Sequence, residues 1–363
     1  MSKPLVIAQI VQHLAPGGIE TMAIQLQHHA QNGDTVHIIS LQGSQSASIN
    51  AWNKLATLQN IHFLDKSSGL SLKTILQLKT LLKELQVDIV HTHHTGPLIY
   101  GGIAAKLSQC RHIHTEHDAW HLNHKINRLL VSSCYHLLQP NVVAVSKLIA
   151  SKVEKLTAYR KPAVIFNGVD TKLFSPDSQT TAREQLCLPE SATIIGCAAR
   201  LTAVKSHDLL LNALTELPDS VHVALAGNGE RKEALHNLTN LLGLEKRVHF
   251  LGNLDNMPVF YNAIDVFCLT SRNEGLPFSL LEAQACQKAV VVTDAGACRE
   301  GVDKESGSII AIDHYEGLVK VLRNHTQFST PVSTAASARA FIESTFGLTR
   351  MINEYRRLYL EAA

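Results

Sequence analysis

The residues best suited to chemistry lie in one run, Ser271–Ala283 (SRNEGLPFSLLEA), directly after the apolar segment Asp265–Thr270. Proline fits the first turn of a helix because its missing N–H is not needed there, so Pro277 predicts a helix that starts near Leu276. The free N–H groups at such a start carry a partial positive charge that suits a phosphate.

Two carboxylates belong to the same run. Glu274 lies in the loop before the predicted helix, and Glu282 lies about two turns along it. Carboxylates in these places can accept hydrogen bonds from pairs of hydroxyls, one pair on a sugar ring and one on a ribose. The alternative is an ordinary strand-to-helix turn with an acidic cap.

Two cations follow another predicted strand, Thr193–Ala199, in the run Arg200–Lys205 (RLTAVK). The carboxyl end of a parallel strand faces the ligand in open α/β sheets. An Arg fork and a Lys point charge there could neutralise a diphosphate. The alternative is a pair of solvated loop charges, and proximity to Glu274 would decide between the two readings.

Two glycine turns follow strands. Gly17 and Gly18 lie in PGGIE, and Gly227 lies in AGNGE. Glycine lets the backbone approach a ligand closely. Both turns lack the third glycine of a dinucleotide fingerprint, so neither predicts an NAD site.

Histidines cluster where two predicted strands end, in HTHH (91–94) and HIHTEHD (112–118). No helical HExxH motif is present and no cysteine accompanies them, so a zinc site is not favoured. His117 comes just past its strand end and is the histidine best placed to contact a substrate. The alternative is a hydrogen-bonded loop histidine.

Short β-branched runs alternate with amphipathic helical patterns, which predicts two doubly wound parallel-sheet domains of the α/β class. We place the first domain at residues 1–166 with a returning helix at 346–363, and the second at 167–345, facing each other across a cleft. The predicted strands are Leu5–Val11, Val36–Leu41, Ile61–Leu64, Asp88–Thr92, His112–Thr115, Val142–Ser146, Ala163–Phe166, Thr193–Ala199, Val221–Ala226, Val248–Leu251, Asp265–Thr270, Ala289–Thr293 and Ser308–Ala311.

Charge is unevenly distributed. Residues 1–165 hold 15 Lys and Arg against 8 Asp and Glu, whereas the remainder holds 18 against 23. The basic half predicts an anionic partner, such as a membrane surface, a lipid phosphate or an acidic polysaccharide. Nucleic acid is disfavoured because no dense basic run is present.

The start of the chain lacks the pattern of a secretory signal. The longest uncharged stretch of the whole chain is broken by polar residues and Pro140, so it does not predict a membrane span. The 7 cysteines are scattered, as expected of reduced thiols. We therefore expect a cytoplasmic protein. The segment Trp120–Leu138 predicts a helix that either packs on its own sheet, which the modest apolar stripe favours, or lies on a membrane.

Taken together, these residues resemble the retaining glycosyltransferases of family 4, which have the GT-B architecture. The features that carry the resemblance are Glu274-x7-Glu282, Arg200 and Lys205 after a strand, Asn167-Gly168-Val169-Asp170 with Phe174, the Gly17–Gly18 turn and the terminal stretch Phe346–Tyr359. Their order and spacing span nearly the whole chain.

The resemblance implies a role for each site residue. Arg200 and Lys205 would hold the diphosphate, Glu274 the hydroxyls of the transferred sugar, and Glu282 the ribose. The other implied donor contacts are the N–H groups of Gly275 and Leu276, the Gly17–Gly18 turn at the diphosphate, His117 at the sugar, and Gly227 with Leu251 and Asn253 at the base. Pro277 departs from the family, in which many members have glycine, so the donor sugar is not carried over.

The implied activity is transfer of a hexose-type sugar with retention, from a nucleotide sugar, with UDP favoured over GDP, to a carbohydrate, lipid-linked or anionic acceptor. Cell-envelope polysaccharide or glycolipid synthesis is the expected setting, at the inner face of the membrane. No metal or other cofactor is expected, in agreement with the lack of an Asp-x-Asp motif. The alternatives are a nucleotide-sugar epimerase of the same fold and a catalytically silent nucleotide-sugar-binding subunit.

Overall fold

A computed structural model describes residues 4–327 and 332–362. The chain forms two compact units, one made of the residues up to Asn167 with those from Arg350 onward, and one of Gly168–Thr349. Each unit is a parallel sheet with helices between its strands, which confirms the predicted α/β class.

The first unit contains seven strands, and their buried apolar runs are typical of a parallel sheet covered on both faces. The strands are β1 (Val6–Val11), β2 (Thr35–Ser40), β3 (Ile61–Phe63), β4 (Ile89–His93), β5 (Arg111–Glu116), β6 (Asn141–Ala144) and β7 (Ala163–Val164). The helices between them are α1 (Gly18–His28), α2 (Gln45–Ala51), α3 (Leu72–Glu84), α4 (Thr95–Ser108), α5 (Lys125–Leu138) and α6 (Lys147–Thr157).

The second unit contains six strands. They are β8 (Thr193–Ala198), β9 (Val221–Ala226), β10 (Val248–Gly252), β11 (Val266–Leu269), β12 (Ala289–Thr293) and β13 (Gly307–Ile310). The helices are α7 (Gln179–Gln185), α8 (His207–Leu214), α9 (Lys232–Leu241), α10 (Met257–Ala263), α11 (Phe278–Ala285), α12 (Tyr315–Gln327) and α13 (Val332–Thr345). The last helix, α14 (Leu348–Ala362), returns to the first unit from Arg350 onward.

The strand order reverses once in each sheet. It runs β3-β2-β1-β4-β5-β6-β7 in the first unit and β10-β9-β8-β11-β12-β13 in the second. The reversals, between β1 and β4 and between β8 and β11, are topological switch points. Open α/β sheets bind ligands at the carboxyl ends of the strands that flank such a point.

Two helices bury a narrower face than their apolar patterns predict. In α5, Val131 and Tyr135 are buried, whereas Leu129 is 70% and Leu130 is 41% exposed. In α3, Leu72 likewise lies in solvent at 79% exposure. A helix presents only one row of i and i+4 positions squarely to its neighbours, so the flanking apolar rows stay uncovered. Helix α5 therefore packs on the first unit through Val131 and Tyr135, as the favoured prediction expected, and leaves its other apolar residues exposed.

None of the helices in the described ranges is long and apolar enough to cross a membrane. The 7 cysteines are all free thiols, as their scattered spacing predicted.

Candidate functional site

The predicted residues Arg200, Lys205 and Glu274 all lie in the loops at the switch point of the second unit. β8 pairs in parallel with β11, so the carboxyl ends of the two strands share one edge of the sheet. Arg200 lies two residues past β8, and Lys205 ends a 3₁₀ turn that begins at Ala203. Glu274 lies in the turn between β11 and α11.

Backbone and hydroxyl hydrogen bonds tie these two loops together. The Thr270 hydroxyl donates to the carbonyl of Ser206 over 2.9 Å. The amide of Arg272 donates to the carbonyl of Val204 over 2.8 Å. The loop that carries Lys205 and the turn that carries Glu274 are thus one connected structure.

Lys205 and Glu274 meet directly. Lys205 Nζ lies 2.5 Å from Glu274 Oε1, and the two side chains are 16% and 7% exposed. The Ser271 hydroxyl donates to the same carboxylate oxygen over 2.6 Å. Glu274 Oε2 has no hydrogen-bond partner among the described residues. One oxygen is therefore anchored, and the other is available to accept a hydrogen bond from a hydroxyl.

Gly296, in the loop after β12, supports the Glu274 turn and was not singled out from the sequence. It has φ +56°, and a Cβ there would overlap the backbone carbonyl oxygen of Glu274. The amide of Ala297 donates to the carbonyl of Gly275 over 3.2 Å. Only a residue without a side chain lets the two backbones come this close. The one sequence signal is a glycine just past the strand next to β11.

Helix α11 begins at Phe278, two residues later than predicted. Pro277 is its N-cap, with φ −73° and ψ 128°. Proline disfavours helical backbone in the residue before it, so Leu276 cannot begin the helix. The N–H groups of the first helical turn belong to residues from Phe278 onward. Gly275 and Leu276 lie in the turn that leads to them.

Glu282, on the second turn of α11, is 9% exposed and accepts a hydrogen bond from the Tyr261 hydroxyl over 2.7 Å. Burial and this carboxylate raise the pKa of Tyr261 well above its usual value, so the phenol stays protonated and donates. The carboxylate is thereby fixed in orientation. Its contact with a ribose stays a prediction.

Arg200 is exposed, and its guanidinium forms no hydrogen bond or ion pair with the rest of the described chain. Its backbone is held by the glycines after β9. A Cβ at Gly227, which has φ +135°, would overlap the Ala199 carbonyl oxygen, and one at Gly229 would overlap that of Leu201. These glycines serve close contact between two loops, which agrees with the absence of a dinucleotide fingerprint.

The predicted base-binding residues lie on the same edge of the sheet. The amide of Gly227 donates to the carbonyl of Gly252 over 2.7 Å, which joins the ends of β9 and β10. Leu251 is half-buried and Asn253 is exposed. Because β10, β9, β8 and β11 are consecutive in the sheet, the loops that follow them lie in this order along one edge of the sheet.

In the first unit, the Gly17–Gly18 turn and His117 follow β1 and β5, the strands that flank β4. Gly17 is the N-cap of α1. A Cβ at Gly17 would overlap the carboxylate of Glu20, which is itself buried. A larger residue at position 17 would therefore require the Glu20 side chain to move. Contact of either glycine with a diphosphate stays a prediction.

His117 is joined to a buried chain of polar side chains. Its Nε2 lies 2.9 Å from His93 Nδ1, and His93 Nε2 lies 2.8 Å from Gln9 Oε1. Gln9 Nε2 donates to the Tyr359 hydroxyl over 3.0 Å. Burial is the main cause that lowers the pKa of His117 to about 3, so the imidazole is neutral at physiological pH.

Gln9 and Tyr359 were missed from the sequence. Gln9 lies inside an apolar strand pattern and Tyr359 on the apolar side of the last helix, so both resemble core positions. No group of three or more His, Cys, Asp or Glu in residues 4–327 and 332–362 is arranged to hold a metal ion.

Comparisons with known proteins agree with this architecture. The model described as "Glycosyltransferase Family 4" matches residues 16–173, and that described as "Glycosyl transferases group 1" matches residues 178–326. Between them the two models cover most of the chain.

The relatives include a lipopolysaccharide core biosynthesis mannosyltransferase of Rhizobium meliloti, 34% identical over 43% of this chain and 48% of that protein. A UDP-Gal:alpha-D-GlcNAc-diphosphoundecaprenol alpha-1,3-galactosyltransferase of Escherichia coli is 26% identical over 80% of this chain and 79% of that protein. Among solved structures, Anabaena HepE in complex with UDP-glucose superposes with a TM-score of 0.85 at 21% identity, over 98% of this chain and 100% of that one.

The two sheets, the matched models and the superposition define a transferase of the GT-B fold. The chain belongs to glycosyltransferase family 4.

Proposed function

We propose that this chain transfers a sugar from a nucleotide diphosphate sugar, with UDP favoured as the nucleotide, and that the product retains the anomeric configuration. The observation that carries the proposal is the Lys205–Glu274 pair at the switch point of the second sheet. It combines a cation suited to a diphosphate with a carboxylate oxygen available to a sugar hydroxyl.

In this proposal the leaving group is stabilised by the second unit. Arg200 and Lys205 offset the charge that develops on the diphosphate as the glycosidic bond breaks. The N-terminal turn of α11 adds oriented N–H dipoles. Glu274 positions the transferred sugar, and Glu282 binds the ribose. No side chain is required as a nucleophile, because the acceptor attacks from the face that the leaving group departs. The bond between the sugar and the diphosphate breaks, and the leaving diphosphate oxygen takes the proton of the acceptor hydroxyl.

The donor-binding roles of Gly17, Gly18 and His117, of Gly275 and Leu276, and of Gly227, Leu251 and Asn253 are proposed on the same basis. His117 is suited to a sugar rather than to a phosphate because its imidazole is neutral. Its low pKa means that it stays uncharged throughout the pH range in which such enzymes work.

We propose a lipid-linked or envelope glycan as the acceptor. The E. coli relative is named for a diphosphoundecaprenol-linked acceptor and the R. meliloti relative for the lipopolysaccharide core. The excess of Lys and Arg in residues 1–165 favours an acceptor with phosphate groups.

The first prediction concerns nucleotide binding. UDP at about 100 times its Kd should raise the free energy of unfolding by about 2.7 kcal/mol, visible as a higher melting temperature. GDP and ADP should give smaller shifts at equal concentration. An Arg200→Ala variant should lose most of the UDP shift, whereas Arg272→Ala, which removes an exposed cation paired with Asp313, should keep it.

Binding and activity measurements also separate the proposed transferase from the alternative functions. The absence of any shift with the three diphosphates would contradict it. Isomerisation of a nucleotide sugar without an acceptor would identify an epimerase. Binding of a nucleotide diphosphate without transfer to any acceptor would identify a silent subunit. Equal transfer with and without a chelator is the expected result for a metal-independent enzyme.

We further propose that α5 contacts the cytoplasmic face of a membrane. Ile126 is 82%, Leu129 is 70% and Leu137 is 61% exposed on this helix, and Trp120 just before it is 48% exposed. The helix has no acidic residue, and its first turn carries Lys125 and Arg128 on one side of the exposed apolar residues. An exposed apolar stripe bordered by cations is suited to anionic lipid.

The second prediction tests this contact by cosedimentation with vesicles. The protein should bind vesicles of phosphatidylcholine with phosphatidylglycerol more tightly than vesicles of phosphatidylcholine alone. The double variant Ile126→Ser/Leu129→Ser should lower the partition coefficient at least about tenfold, because each inserted side chain contributes roughly 1.5–3 kcal/mol. Leu241→Ser, which changes a leucine 83% exposed in the second unit, is the control. Equal binding to both vesicles, or an unchanged partition in the double variant, would refute the contact.

A further inference from the structure

The direction of hydrogen bonding in the buried chain that ends at His117 follows from the orientation of the Gln9 amide. It starts from Gln9, whose amide oxygen can only accept. His93 Nε2, 2.8 Å from that oxygen, must therefore carry a hydrogen. Burial and neighbouring histidines hold the pKa of His93 well below its usual value, so this ring is neutral. Its Nδ1 is then unprotonated and accepts the hydrogen bond from His117 Nε2.

The Gln9 amide is held between His93 and Tyr359. The Gln9 amide nitrogen donates to the Tyr359 hydroxyl, which lies 2.7 Å from His91 Nδ1. His91 Nε2 in turn lies 2.7 Å from the Thr115 hydroxyl. Gln9, His91 and Thr115 are 0% exposed and Tyr359 is 3% exposed, so no solvent is at hand to replace a lost partner. Reversal of the Gln9 amide would require every bond in the chain to reverse.

The direction of these hydrogen bonds determines which ring nitrogen of His117 carries the hydrogen. A neutral His117 that donates through Nε2 presents an unprotonated Nδ1. No described residue is a hydrogen-bond partner of that atom. An unprotonated ring nitrogen accepts a hydrogen bond from a hydroxyl and repels a phosphate oxygen, whereas an N–H would donate to the oxygen of either group.

We propose that Gln9 and Tyr359 are positioning residues that fix His117 as its Nε2–H tautomer, so that Nδ1 accepts a hydrogen bond from a hydroxyl of the substrate. The substrate contact rests on the function proposed above. The tautomer is a property of the ligand-free protein and does not depend on that function.

The third prediction is therefore tested first without substrate. In long-range proton–nitrogen correlation spectra of the full chain labelled with ¹⁵N-histidine, His117 should show a protonated Nε2 and an unprotonated Nδ1. A His117→Asn variant assigns its signals. Gln9→Glu places a carboxylate beside His93 and favours its doubly protonated ring, so His117 Nε2 should become the acceptor and its hydrogen should move to Nδ1.

Two tyrosines of α14 provide a matched pair. Tyr359→Phe removes the hydroxyl that orients Gln9 and should give a mixture of both His117 tautomers. Tyr355→Phe removes an equally buried hydroxyl, 3.0 Å from the Thr115 hydroxyl at the far end of the chain, and should leave the His117 tautomer unchanged. A wild-type Nδ1–H tautomer, or a tautomer insensitive to both Gln9→Glu and Tyr359→Phe, would overturn the proposal.

The substrate contact is tested with donors in which each sugar hydroxyl in turn is replaced by fluorine, which cannot donate. With the wild-type protein, one of these fluorinated donors should have a kcat/KM about tenfold below that of the native donor, which is the effect of one lost hydrogen bond. For that fluorinated donor, Gln9→Glu should cause no further loss of kcat/KM. The native donor should lose about as much in Gln9→Glu. If no donor is turned over, the proposed function fails while the tautomer result stands. A full set of unaffected fluorinated donors would overturn the substrate contact.

Discussion

Lys205→Met and Glu274→Gln should each lower kcat/KM for sugar transfer by about 100-fold or more, the loss typical of one preorganised group that stabilises developing charge. Lys205→Met removes the cation nearest to the anchored carboxylate. Glu274→Gln keeps the size of the side chain and an oxygen for Ser271 but removes the negative charge that orients the sugar. Steady-state kinetics, corrected for the folded fraction, measure both.

Both single variants should also be less stable, because the two side chains are only 16% and 7% exposed. Removal of one partner leaves the other charge buried without compensation, at a cost of roughly 3 kcal/mol. The double variant Lys205→Met/Glu274→Gln leaves no such charge and should recover most of that stability, without recovering activity. Denaturant unfolding and kinetics on the four proteins therefore separate the structural role of the pair from its role in transfer.

A second ion pair of the same unit, with a buried arginine and a partly exposed aspartate, is the control. Arg183 lies 2.7 Å from Asp265, which directly precedes β11 and so lies at the opposite end of that strand from Glu274. Arg183→Met should lose comparable stability and keep the kcat/KM of its folded fraction. Wild-type turnover in the folded fraction of either switch-point variant would contradict the assignment of Lys205 and Glu274.

Much of the fold could be predicted because each buried parallel strand has a recognisable local sequence pattern. Val221–Ala226 and Ala289–Thr293 are apolar, β-branched and bounded by turn residues, and both strands end where the pattern does. Helix faces were less predictable. An apolar side chain such as Leu72 or Leu129 satisfies the same periodicity whether or not a neighbour covers it, so tertiary packing decides its burial.

The meeting of Lys205 and Glu274 was predictable because charged residues that follow apolar strands stand out in the sequence. The uncharged residues that act through hydrogen bonds to distant parts of the chain were not predictable. Gln9 and Tyr359 lie 350 positions apart in the sequence, and only folding brings the amide and the phenol together. The start of α11 was misplaced because Pro277 acts both on its own φ angle and on Leu276 before it.

Gly296→Ala should lower transfer on the order of 100-fold although no atom of Gly296 belongs to a group that reacts. The new Cβ would overlap the Glu274 carbonyl oxygen, so either the turn or the loop after β12 must move. The overlap is with backbone, which cannot rotate away as a side chain does. A displacement of about 1 Å in a positioned group is enough to cost about 100-fold in rate.

Gly243→Ala separates this effect from the intrinsic strain of the backbone. Gly243 has φ +67°, close to the +56° of Gly296, but a Cβ there would meet no atom within 4 Å. Both alanine variants should lose roughly 1 kcal/mol of stability from the left-handed backbone, and Gly296→Ala should lose more because of the overlap. Only Gly296→Ala should also lose kcat/KM. Equal kinetics in the two variants would show that the Glu274 turn tolerates displacement, and the anchored carboxylate would then not be what positions the sugar.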